Sequence, residues 1–133
     1  MSVEESAGLL REWTDRLGAL ASQVVAWTKT QPGWKVERTP KAITEKALGS
    51  YTVDLLTIED EQERRLQLEP IARRVMGADG IVELYAWPTL NRVRLLPNPA
   101  SGGWDVLTDS GIKLHQPWNL ENFITLARDL MAA

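Results

Sequence analysis

Apolar side chains recur at alternating intervals of three and four residues near the start of the chain. An α-helix has about 3.6 residues per turn, so these positions line up as one stripe along a helix. Ser2 and Glu5 have the spacing of a helix-starting capping box, and Pro32 with Gly33 ends the pattern. The sequence therefore predicts an amphipathic helix over about residues 3 to 29. The stripe consists of Leu10, Trp13, Leu17, Leu20, Val24 and Trp27.

The same spacing also suits a coiled coil, which would bury the stripe against a second helix. The flanking positions include Thr14, Arg16 and Gln23, which lack the opposite charges that normally fix coiled-coil pairing. The stripe is also shorter than the three to four heptads that mark a coiled coil. We therefore predict that the helix packs on the chain's own sheet, and a homodimer through this helix is the open alternative.

The middle of the chain is rich in β-branched and aromatic residues, often alternating with polar ones. This pattern is typical of strands with one buried face. The acidic run 59–63 is predicted to be an exposed loop. Pro70 at a first helical position predicts a short helix over 70–76. The predicted strands are 34–38, 51–58, 64–69, 81–87, 91–96 and 104–108.

A second helix is predicted near the end of the chain. Asn119 is a good N-cap, and Trp118 with Phe123 forms the apolar pair that often brackets a helix start. Leu126 and Leu130 continue an apolar face. The order helix, four to six strands, helix predicts an α+β fold, with a meandering antiparallel sheet and both helices on one sheet face. The 133 residues contain no repeat or linker, so we expect a single domain over 1–133.

Composition excludes several kinds of function. Cysteine is absent, which removes disulfides, thiolate nucleophiles and cysteine-ligated metals, and favours the cytoplasm. The acidic N-terminal residues do not resemble a signal peptide, and no apolar run approaches the roughly 20 residues that span a bilayer. The net charge of −3 disfavours a general nucleic-acid binder. We therefore expect no membrane association and disfavour a nucleic-acid partner, and a binder of single strands through arginine and aromatic side chains stays open as a third interpretation.

No catalytic residue, metal ligand or cofactor site is assigned from the sequence. His115 is the only histidine and has no recognisable nucleophile motif near it, and Asp109-Ser110-Gly111 is typical turn chemistry. The alternative is a small metal-dependent hydrolase or nuclease that uses carboxylates on strands. It requires Asp54, Glu69 and Glu83 to point into one pocket. Solvated strand faces and cross-strand ion pairs explain the same residues.

Arginine and aromatic residues gather in the second half of the predicted sheet. Residues 64–94 contain six arginines and three carboxylates, a local charge of +3 in an acidic chain. If these residues share a sheet face, they offer guanidinium and aromatic surface together, as protein-binding hot spots do. The sequence therefore predicts a non-catalytic protein-interaction module, such as an accessory, chaperone-like or immunity-type subunit. The predicted partner-binding residues are Arg65, Tyr85, Trp87, Arg92 and Arg94.

Overall fold

The computed structural model describes residues 2–73 and 79–132. A long helix comes first, strands follow, and a second helix closes the described part of the chain. The helices are α1 (Val3–Thr28) and α2 (Leu120–Met131). The strands are β1 (Lys35–Glu45), β2 (Gly49–Glu59), β3 (Arg65–Ala72), β4 (Ile81–Trp87), β5 (Arg92–Pro97), β6 (Trp104–Thr108) and β7 (Lys113–Leu114).

The strands form one antiparallel sheet in which each strand lies beside its neighbour in the chain. The predicted α+β meander between two helices is therefore confirmed. The described residues contain seven strands rather than the four to six predicted. The additional strand, β7, is only two residues long, too short to leave an alternating pattern in the sequence.

Most of the predicted stripe of α1 lies in the protein's own core. Trp13, Leu17, Leu20 and Val24 are buried and belong to one cluster with residues of the sheet. Trp27 packs against this cluster and is partly buried, and Leu10 is half-buried outside it. The N-cap is also as predicted, since the Glu5 N–H donates to Ser2 Oγ at 3.1 Å. Packing on the chain's own sheet is confirmed. Neither helix in the described part of the chain is long and apolar enough to cross a membrane.

Helix α2 packs on the same side of the sheet as α1. Its Phe123 is fully buried, and the rings of Trp118 and Phe123 lie 5.6 Å apart, which confirms the predicted apolar pair. The Asn122 N–H donates to the side chain of Asn119 at 2.9 Å, which confirms the predicted cap. The two helices therefore cover one face of the sheet. The buried strand residues of that face include Ile58, Leu66, Leu68, Val82, Leu84, Val93, Leu95 and Val106.

The short helix predicted over 70–76 is wrong where the structure describes it, because Pro70–Ala72 form the end of β3. A proline, which lacks an N–H, is tolerated there for two reasons. The pairing of β2 with β3 stops at Leu68, and the register with β4 shifts between Pro70 and Ala72. The other part of the prediction, residues 74–78, lies outside the described residues.

The first predicted strand ended before Pro40, but β1 continues through this proline to Glu45. β1 is at one edge of the sheet and pairs with β2 alone. An edge strand leaves half of its backbone groups unpaired, so it can hold a proline without losing a ladder hydrogen bond. Proline also discourages a second sheet from joining at that edge.

The acidic run 59–63 was predicted to be an exposed loop, and this is wrong for Asp60, which is only 3% exposed. Its carboxylate accepts hydrogen bonds from the Gln62 N–H at 3.0 Å, the Arg64 N–H at 2.8 Å and Arg64 Nε at 2.7 Å. Burial raises the pKa of Asp60, but these bonds to Arg64 and Gln62 outweigh burial and hold the pKa below its ordinary value. Asp60 therefore organises the turn between β2 and β3 as a buried anion.

Candidate interaction face

The strand register brings the five predicted partner-binding residues onto one face of the sheet. Arg65 lies opposite Trp87, and Tyr85 lies opposite Arg92. Arg94 follows two residues after Arg92 and therefore points the same way. The intervening residues, such as Leu66, Leu84 and Val93, are buried under the helices. We call the outward side of β3 to β5 the open face, and it consists of Arg65, Gln67, Glu69, Glu83, Tyr85, Trp87, Arg92 and Arg94.

The most exposed apolar surface of this region lies where β4 turns into β5. Trp87 and Leu90 are each 54% exposed. Leu90 has a φ of 64°, a left-handed conformation that costs a residue with a side chain about 1 kcal/mol. Two hydrogen bonds stabilise the turn. The Leu90 N–H donates to the Ala86 carbonyl at 3.1 Å, and Asn91 Nδ2 donates to the Leu130 carbonyl at 3.2 Å. The end of α2 thus helps to present Leu90 to solvent, a role that the sequence did not indicate.

The arginines of the open face lie near the carboxylates of Glu59 and Glu83, but at distances longer than a hydrogen bond. Glu83 is 4.0 Å from Arg92 and 3.9 Å from Arg94, and Arg65 is 4.0 Å from Glu59. A charge-assisted hydrogen bond between such groups is about 2.7 to 2.9 Å long. Because a guanidinium carries five N–H donors, these side chains retain donors for a further acceptor.

Tyr85 and Glu69 form a closer polar network at the centre of the open face. The Tyr85 hydroxyl contacts Gln67 Oε1, and it lies 2.9 Å from Glu69 Oε1. Lys41 Nζ is 2.8 Å from Glu69 Oε2 and donates to the Pro70 carbonyl at 2.7 Å. Burial raises the pKa of Glu69, but the bonds from Lys41 and Tyr85 outweigh it and keep the pKa low. Glu69 is therefore an ion-paired carboxylate at neutral pH.

Two of the three carboxylates considered for a metal-dependent hydrolase come together. Glu69 lies directly opposite Glu83, and both line a cavity of about 270 Å³ with Tyr85, Leu90 and Arg92. Asp54 lies elsewhere, in β2, where its carboxylate is 3.0 Å from Arg38. In the described ranges, no group of three or more His, Asp or Glu side chains is placed to hold a metal ion.

His115 lies at the other end of the sheet, in an open cleft of about 490 Å³ beside β6 and β7. Trp104, Trp118 and the Lys113–Asp105 ion pair, 3.3 Å long, line the same cleft. The Asp109 carboxylate lies in the turn before β7, 3.5 Å from Arg92. His115 thus lines a different cavity from Glu69 and Glu83, whereas Asp109 and Glu83 both approach the side chain of Arg92.

Both tyrosines of the chain should resist ionisation in the folded protein. Burial and the Glu69 carboxylate raise the pKa of Tyr85 to about 12, and burial and Glu45 raise the pKa of Tyr51. Free tyrosine titrates near about 10. We expect no tyrosinate absorbance when the native protein is taken to pH 10, and half-ionisation at that pH in urea. This contribution to stability is complete below pH about 10 and is lost as the pH rises towards the folded values.

The Tyr85→Phe variant assigns the two titrations, because only Tyr51 then remains. Circular dichroism at each pH must show that the protein is still folded. If half of the tyrosinate absorbance of the folded protein appeared by pH 10, the hydrogen bonds of Tyr51 and Tyr85 with carboxylates would be contradicted.

Comparison with known proteins adds no functional information about this arrangement. No protein-family model, no curated protein and no solved structure matches the chain. The function must therefore be inferred from the open face itself, which combines three arginines with two partly buried carboxylates and an exposed tryptophan.

Proposed function

We propose that this protein is a non-catalytic interaction module, an accessory, chaperone-like or immunity-type subunit of the cytoplasm, and that its open face binds a partner protein. The observation that carries the proposal is the alignment of Arg65, Tyr85, Trp87, Arg92 and Arg94 on the sheet face that the helices leave uncovered. These residues lie on paired strands, so the backbone of the surface is already ordered. Binding therefore costs little conformational entropy on this side of the interface.

Trp87 is the strongest candidate for an energetic anchor. A tryptophan side chain offers up to about 250 Å² of surface and has few rotatable bonds. With 54% of the residue exposed, a partner could bury about 100 Å² more, which is worth about 2.5 kcal/mol at 25 cal/mol per Å². The neighbouring arginines and Tyr85 are of the other residue types that are enriched in protein-binding hot spots.

The hydrolase alternative is favoured by one observation, the pairing of Glu69 with Glu83 around a cavity. Against it, Lys41 already neutralises Glu69 at 2.8 Å, and two arginines flank Glu83. A divalent cation would have to displace Lys41 to use Glu69. A hydrolase of this kind predicts that Mg²⁺ or Mn²⁺ raises the melting temperature, because a ligand that binds only the folded state stabilises it.

A homodimer through α1 remains a proposal for the oligomeric state, and it would need a different side of the helix from the predicted stripe. Trp13, Leu17 and Val24 are enclosed in the core of one chain. The exposed residues of α1 include Val3 at its first position and, further along, the small residues Gly8, Gly18 and Ala19, so little apolar area lies along the helix. The open face is therefore the better supported contact surface.

A pull-down from the native host tests the proposal. The tagged protein, read by mass spectrometry, should retain a stoichiometric partner that the Trp87→Ala plus Arg94→Ala variant loses. A matched control replaces Ile112, which is 63% exposed, and the exposed Arg11 with alanine, and it should keep the partner. Retention of the same proteins by all three forms would show that the open face is not the binding surface.

A further inference from the structure

The charges of the open face are layered, with the arginines above the carboxylates. The side chains of Arg65, Arg92 and Arg94 are 59%, 43% and 39% exposed. Their carboxylate neighbours Glu59 and Glu83 are only 30% and 22% exposed. An approaching partner therefore meets guanidinium groups first, although the numbers of positive and negative groups on the face are similar.

Asp109 is the exception, because its side chain is 60% exposed beside Arg92. It lies in the turn after β6, at the margin of this surface rather than between the arginines. The exposed apolar part of the surface lies at the β4 to β5 turn, where Leu90 follows Trp87, and Trp87 lies directly opposite Arg65 in the register. Exposed arginines thus lie beside an exposed apolar patch.

We infer that the open face recognises an acidic segment of a partner protein that carries at least one large apolar side chain. Carboxylates of the segment would accept the hydrogen bonds that the arginines do not make with Glu59 and Glu83, at 3.9 to 4.0 Å. The apolar side chain would pack on Trp87 and Leu90. This inference rests on the proposed function and specifies the chemistry of the partner.

A single-stranded nucleic acid would present negative charge too, but the surface suits it less well. Such ligands stack successive bases on several aromatic side chains. Trp87 is the one aromatic residue with a largely exposed side chain in the ranges that the structure describes. Leu90, the other exposed apolar residue of the patch, offers no ring for stacking.

The inference is tested by nuclear magnetic resonance on the full-length, ¹⁵N-labelled protein with three probes. These are a peptide of alternating Glu and Leu, the same peptide with Lys in place of Glu, and oligothymidylate. The Glu peptide should shift the indole N–H signal of Trp87 and the amides of β3 to β5 in a saturable way. Its dissociation constant should be at least about tenfold lower than those of the other probes.

Charge-reversed variants give the matched control. Arg65→Glu plus Arg92→Glu should weaken binding of the Glu peptide at least about tenfold. Arg11→Glu plus Lys46→Glu makes the same change of net charge at exposed positions away from the open face and should leave binding intact. Trp87→Phe assigns the indole signal and reports whether the fold is kept.

The outcomes separate this inference from the proposed function. Preference for the Lys peptide or for oligothymidylate, or the absence of saturable shifts on β3 to β5 with the Glu peptide, would overturn the acidic-segment assignment. None of these results would change the outcome of the pull-down, which tests whether a natural partner binds the open face. If the Arg11→Glu plus Lys46→Glu variant also lost binding, the acidic-segment assignment would be overturned, because net charge alone would then explain the peptide binding.

Discussion

Replacing Trp13 with alanine is expected to lower the free energy of unfolding by about 3 to 5 kcal/mol. Trp13 is 1% exposed, its ring lies 6.2 Å from that of Trp104, and its Nε1–H donates to the Tyr51 hydroxyl at 3.1 Å. The change therefore opens a large cavity and removes a donor from a partly buried hydroxyl. Since domains of this size are stable by only about 5 to 15 kcal/mol, the loss is a large fraction of the total, and the midpoint of urea denaturation should fall clearly.

Urea denaturation followed by far-ultraviolet circular dichroism measures this loss. The matched control is Trp87→Ala, which removes the same side chain from the open face and should cost about 1 kcal/mol or less. If the two variants were equally stable, Trp13 would not be the buried contact between α1 and the sheet that this fold requires.

Replacing Gly80 with alanine is expected to cost about 3 kcal/mol, a large effect for the addition of one methyl group. Gly80 has a φ of 134°, and a Cβ built there lies 2.6 Å from Cζ3 and 2.7 Å from Cη2 of Trp13. Neither distance is tolerated between carbon atoms. Either the Trp13 ring or the start of β4 must therefore move, and thermal unfolding should report a lower melting temperature.

Two further variants separate the clash from the backbone conformation. Gly49 has a φ of 77° and nothing within 4 Å of the built Cβ, so Gly49→Ala should cost only about 1 kcal/mol. The Gly80→Ala plus Trp13→Ala double variant should lose less stability than the sum of the two single variants, because the ring is gone. Equal costs for Gly80→Ala and Gly49→Ala, with full additivity in the double variant, would contradict the contact.

The features of the fold that local patterns specify were predictable from the sequence. The stripe of α1, the Asn119 cap and the pairing of Trp118 with Phe123 each involve residues a few positions apart. The meander also followed from short connections between alternating segments.

The incorrect or missing features depend on contacts between distant parts of the chain. β1 runs through Pro40 because it is an edge strand, and Pro70 fits a strand because the pairing of β2 stops earlier. Asp60 is buried because Arg64 and the Gln62 amide satisfy its carboxylate. Strand β7 gains its identity from pairing with β6 rather than from its two residues.

The candidate site was predictable to a similar degree. Alternation along β4 and β5 was sufficient to place Tyr85, Trp87, Arg92 and Arg94 on one face. The register that places Glu69 opposite Glu83 depends on the pairing of distant segments. The exposed fraction of each charged side chain depends on it as well. Leu90 was missed because nothing in its sequence neighbourhood indicates a positive φ or an exposed position.

The most direct test of the central claim, that the open face binds a partner protein, is site-specific photo-crosslinking in the native host. A photoreactive residue replaces Leu90 in the exposed apolar patch at the β4 to β5 turn, and a second variant carries it at the exposed Ala19 on α1. We predict one dominant crosslinked protein from position 90, absent from position 19 and lost when Arg65→Glu and Arg92→Glu are added. The same crosslinked proteins from both positions, unaffected by the charge reversal, would contradict the claim.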